Sequence, residues 1–72
     1  MLAINYPVTK TEHLFILGDS SESHVIVNSI SNSVILMFGQ KVLSRQLEYP
    51  TLEEALNAGQ AILNLYAEAL QC

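Results

Sequence analysis

The sequence predicts an α+β domain, an antiparallel meander sheet of about four strands closed by one long C-terminal amphipathic helix. Three observations lead there. Short runs rich in β-branched, aromatic and long apolar residues alternate with Gly/Ser/Asn/Asp clusters through the first two thirds of the chain. The connections between those runs are short, so consecutive strands pair antiparallel with their neighbours. From Pro50 onward the apolar spacing changes to the period of a helix.

Taken in order, Leu2, Ile4 and Tyr6 alternate, which makes Leu2–Tyr6 a candidate fifth strand at the N-terminal edge, ended by Pro7. His13–Leu17, His24–Asn28, Val34–Phe38 and Lys41–Tyr49 are the four principal strands. Residues 18–23 read as a polar loop and residues 29–33 as a second turn. Gly39-Gln40 has glycine first, the order that suits a two-residue type II′ hairpin. That turn puts Phe38 opposite Lys41, Met37 opposite Val42 and Leu36 opposite Leu43. Thr51 and Glu54 have the T-x-x-E spacing of a capping box, with Glu53 and Glu54 in the first turn, where the helix dipole favours negative charge.

Seventy-two residues suffice for one domain, residues 1–72, and such a chain gains only ~3–5 kcal/mol net from its core. Cys72 is the only cysteine, so neither an internal disulfide nor a zinc-ligand spacing is available. A solvated terminal thiol in a reducing cytoplasm fits that usage. Half of the residues are hydrophobic and only 14% charged, which is more apolar side chain than a small monomer hides easily. No apolar run approaches the ~20 residues of a membrane span, and the N-terminus has no signal-peptide pattern. With three basic residues against seven acidic ones, a lone protomer has little means of displacing counterions from nucleic acid.

Alternation sorts the strand residues onto two faces. One is expected to carry Leu14, Ile16, Val25, Val27, Val34, Leu36, Phe38, Leu43, Leu47 and Tyr49 beneath the helix. The helix offers Leu52, Ala55, Leu56, Gly59, Ile62, Leu63, Tyr66 and Leu70 as the matching stripe, and core packing accounts for it without a cofactor. Gly59 inside that stripe implies close approach to the sheet. The second face retains Phe15, Leu17, Ile26, Ile35, Met37 and Val42, with one helix available to cover a two-faced sheet. These six residues are the expected interface, used in a homodimer or against another protein.

Catalytic and metal-binding chemistry finds weaker support. A hairpin around residues 19–22 would place Leu17 opposite His24 and His13 opposite Asn28. The two histidines then lie four residues apart along the strands, roughly 13 Å, too far for one metal. Asp19, Glu22 and His24 near the loop are the remaining candidate set for a metal or small catalytic site. Ser23 and His24 are adjacent on a strand and point to opposite faces, which spoils a serine–base pair. The three glycines are isolated, so no phosphate-cradling loop exists. The expectation is a protein without enzymatic activity or a cofactor, acting through binding.

The run Thr51-Leu52-Glu53-Glu54-Ala55-Leu56-Asn57-Ala58, continuing to Ala61-Ile62-Leu63-Asn64-Leu65-Tyr66, resembles the helix of HicB-type antitoxins. Tyr6-Pro7-Val8 is similar to their opening strand. The resemblance covers about twenty residues, and implies a small sheet-and-helix domain that dimerises and neutralises a toxin protein.

Overall fold

The structure is a computed structural model and describes residues 5–71. In chain order it contains β1 (Val8–Thr11), β2 (Leu14–Gly18), β3 (Ser23–Asn28), β4 (Ser33–Phe38), β5 (Lys41–Val42), β6 (Leu47–Glu48) and α1 (Leu52–Gln71). The strands form one antiparallel sheet in meander order, with β5 and β6 both pairing along β4. The α+β architecture is the one the sequence predicts.

The Gly39-Gln40 turn forms as expected, with Gly39 at φ 59°, Phe38 opposite Lys41 and Met37 opposite Val42. The Leu43 amide continues the ladder by donating to Leu36 O at 2.8 Å. There the expected long strand Lys41–Tyr49 breaks. The Leu36 amide donates to Ser44 Oγ at 3.0 Å, so a side chain takes the place of a backbone carbonyl. Pairing resumes with Leu47 opposite Val34, where an unbroken ladder would put Arg45. Because the chain gains two residues, an even number, Leu43, Leu47 and Tyr49 keep their expected face.

A second difference lies at the N-terminal edge. The edge strand is Val8–Thr11, after Pro7, and Asn5 and Tyr6 are not in a strand. Residues 2–4 of the expected Leu2–Tyr6 strand lie outside the described residues. Pro7 thus introduces a strand, a position where its missing N–H costs no ladder bond, and its carbonyl accepts from the Gly18 amide at 2.9 Å. The β1–β2 turn uses Glu12-His13, with Glu12 at φ 45°, an unusual conformation for a long side chain.

The third difference concerns β2. Leu17 pairs with Val25 and Gly18 with His24, a one-residue slip from the expected register. Every β2 side chain therefore changes face. Phe15 and Leu17 join Val25, Val27, Val34 and Leu36 under the helix, while Leu14 and Ile16 turn to the reverse side. Leu17, Val25, Val27, Val34, Leu36, Ala55 and Leu63 are the buried core, ringed by Tyr6, Phe15, Leu43, Tyr49, Leu52, Leu56, Ile62 and Tyr66.

Helix α1 lies across β3 and β4. The Glu54 amide donates to Thr51 Oγ1 at 3.1 Å, which completes the N-cap. Thr51 Oγ1 in turn donates to the Glu54 carboxylate at 3.4 Å, so that carboxylate meets the hydroxyl rather than the Thr51 amide. The predicted stripe is seated except at its end, where Leu70 is exposed. Gly59 is buried, and a Cβ there would stand 3.0 Å from Leu17 Cδ2 and 3.1 Å from Val25 Cγ1. The close approach read from the sequence is real.

Candidate interaction face

Strands β2, β3 and β4 contain no Asp, Glu, Lys or Arg. Their cross-strand partners set out the side of the sheet away from α1 as three ranks. In the middle rank Thr9, Ile16, Ile26 and Ile35 stand side by side across four strands. In the next, His24, Met37 and Val42 are neighbours. The third is mostly polar, with Thr11, Leu14, Asn28, Ser33 and Glu48. The result is an isoleucine row on the three central strands, with polar residues at its margins.

Burial separates the isoleucine row from the helix side, although His24 and Ser33 in the flanking ranks are buried as well. Leu17, Val25 and Val27 are wholly buried, whereas Ile16, Ile26, Ile35 and Met37 are half-buried and Val42 is exposed. α1 is the one helix among the described residues, and it occupies the opposite side. The described part of the N-terminal segment also goes to the helix side. Tyr6 packs against the core, and the Gln60 side-chain amide grips its backbone. The Tyr6 amide donates to Gln60 Oε1 at 2.7 Å, and Gln60 Nε2 donates to Tyr6 O at 2.9 Å.

Of the six residues expected at an interface, Ile26, Ile35, Met37 and Val42 lie on this uncovered side. Phe15 and Leu17 do not, since the one-residue slip sends them into the core. Ile16, which the sequence reading assigned to the core, is the neighbour of Ile26 instead. The run LFIL is apolar on both faces, so its composition contains no signal for choosing between the two registers.

The candidate catalytic and metal residues divide between the two ends of the sheet. His13 sits in the turn beside Leu14, while Asp19, Glu22 and His24 sit at the opposite end, where Gly18 meets His24. Among the described residues no group of three or more His, Cys, Asp or Glu is placed to hold a metal ion. His24 is 3% exposed, and its Nδ1 lies 2.8 Å from the Glu22 carbonyl oxygen. A carbonyl only accepts, so Nδ1 carries the proton and the ring is fixed. Asp19 Oδ1 accepts from the Ser21 amide at 2.9 Å and from Ser21 Oγ at 2.7 Å. Those two bonds, the amide first, together with the nearby His24, hold the Asp19 carboxyl below its ordinary 3.8. Both carboxylate contacts order the loop and touch no reactive group.

An open depression of about 410 Å³ lies at the other end, lined by Thr11, Glu12, His13, Leu14, Asn28 and Ile30. Asn28 Oδ1 is already taken by the Ile30 amide at 2.9 Å. The other lining residues, strand ends Thr11 and Leu14 and turn residues Glu12, His13 and Ile30, are solvent-exposed, and Asn28 is half-buried.

No helix among the described residues is long and apolar enough to cross a membrane. No protein-family model matches the chain, and neither the curated proteins nor the solved structures give a significant match.

Proposed function

We propose that this protein is a non-enzymatic interaction module that engages another protein surface through the uncovered side of its sheet. The observation that supports the reading is the Ile16–Ile26–Ile35 row, flanked by Met37 and Val42, on a side of the sheet that no helix among the described residues covers. A contiguous apolar patch rimmed by polar groups is the usual form of a protein interface. The separation of His13 from Asp19, Glu22 and His24 points away from catalysis, because the groups able to move protons do not converge on one reacting atom. Either a second copy of the chain, as a homodimer, or a different protein satisfies the reading.

The test is the double substitution Ile35→Lys and Met37→Lys, followed by circular dichroism and by light scattering across a dilution series. The expected product keeps its helix signal and loses whatever association the natural chain has. A variant with unchanged fold, mass and binding sinks the proposal.

A further inference from the structure

We infer that residues 5–7 form a strap that opens and closes while the sheet and the helix stay folded, and that the Gln60 side chain is its latch. The strap lies on the helix side of the sheet, so it stands independently of the interaction face. It bridges two elements. The Pro7 carbonyl accepts from the Gly18 amide at 2.9 Å, at the end of β2, and Tyr6 reaches from there to the middle of α1. Tyr6 is half-buried against the core, while Asn5 and Pro7 are exposed. Closed, the strap ties the end of β2 to the helix. Open, it uncovers the part of the core that Tyr6 covers.

Three features make this segment the first to open. Its attachments are few. Among the described residues it is held by the bond from Gly18 and by the two bonds between Tyr6 and Gln60, at 2.7 and 2.9 Å. Strand β1, which follows it, is exposed at every residue and lends no buried support. Pro7 has no N–H, so at this position opening costs the ladder only the Gly18 bond. Sparse burial and exposed backbone bonds mark the low end of local stability. Val25, Val27 and Leu63 stand at the other end, almost wholly buried at the centre of the core.

Gln60 is suited to be the latch because it serves the strap from a position the helix does not need. It lies in the middle of α1, half-buried, with its side-chain oxygen and nitrogen both committed to the Tyr6 backbone. Alanine is the better helix former, so Gln60→Ala removes the latch and leaves α1 supported. The Gly18 amide is the independent reporter. It is bonded to Pro7 and not to Gln60, so it responds to Gln60→Ala only if residues 6 and 7 leave together.

The experiment is native-state amide hydrogen exchange of the full chain, read residue by residue by NMR, in the natural protein, Gln60→Ala and Gln60→Glu. In the natural protein the Tyr6 and Gly18 amides should exchange faster than those of Val25, Val27 and Leu63. Gln60→Ala should speed the Gly18 amide about tenfold or more, the loss of two hydrogen bonds, and leave the three core amides unchanged. Gln60→Glu keeps an acceptor for the Tyr6 amide and loses the donor to its carbonyl, so its Gly18 rate should fall between the other two. Protection of Tyr6 and Gly18 equal to that of the core in the natural protein overturns separate opening. A Gly18 rate that Gln60→Ala leaves unchanged overturns the latch. So does a rise shared equally by all five amides, which would make Gln60 a support of the whole fold. Gln60→Glu behaving as the natural protein would overturn the two-sided grip.

Discussion

The two sides of this sheet are built from similar residues and meet different fates. On one side Leu17, Val25, Val27, Val34 and Leu36 are buried beneath α1. On the other Ile16, Ile26, Ile35 and Met37, at least as large and likewise apolar, remain half-buried. Hydrophobicity alone does not separate them. What separates them is α1, whose backbone settles onto Leu17 and Val25 at Gly59, the point where the helix lacks a side chain. A helix can close on one side only, and the small residues Ala55 and Gly59 let it approach that side closely. The lesson is that a face becomes core through the shape of what covers it.

Adjacent residues on opposite sides give the largest test of that contrast. Leu17→Ala removes a wholly buried side chain under the helix and is expected to lower the unfolding free energy by about 2–5 kcal/mol. Ile16→Ala, one residue earlier and facing away, should lower the stability of the monomer by less than about 1 kcal/mol. Urea unfolding at low protein concentration measures both, and equal losses would mean that β2 lies in the other register.

Gly59→Ala sharpens the comparison at the point of contact. The helix itself gains about 1 kcal/mol from alanine. The new Cβ, however, meets the Leu17 and Val25 methyls at 3.0 and 3.1 Å, so both fully buried side chains must shift by a few tenths of an ångström to admit it. Overpacking of this kind costs about 1–3 kcal/mol, so a net loss of roughly 1 kcal/mol is expected in thermal or urea unfolding. A stabilised variant would show that the helix rides higher above the sheet.

The smallest effect belongs to the loop at the sheet's end, which serves neither face. Asp19 is held below its ordinary 3.8 by hydrogen bonds from Ser21. A carboxyl depressed in the folded state contributes stability above its unfolded value, and that contribution disappears as pH falls through the folded value. Asp19→Asn should therefore remove a small part of the stability difference between pH 5 and pH 2.5, and leave any binding through the sheet face at neutral pH unchanged. An association that changes at neutral pH would tie this loop to the face.

Much of the architecture was legible because particular residues allow one geometry. Gly39 fixed the β4–β5 turn, Thr51 and Glu54 marked the helix start, and Gly59 signalled close packing. The register of β2 was not legible. Its loop to β3 is long enough to close on either of two pairings, and Gly18 at φ 94° extends the strand by the one residue that decides between them. The edge strand was hidden for a similar reason, because Thr9-Lys10-Thr11 lacks apolar alternation and the Glu12-His13 turn has neither Gly nor Asn. Four of the six expected interface residues kept their side of the sheet because Gly39 and the short β3–β4 turn tie β3, β4 and β5 to one another without that ambiguity.

The Gln60 side chain offers Tyr6 one acceptor and one donor, the same pair that a neighbouring strand would present. The two residues are 54 positions apart in the chain. The Tyr6 backbone therefore finds these two partners only once α1 has formed and seated on the sheet. A chain whose helix came away would lose the anchor of the segment that leads into β1 as well.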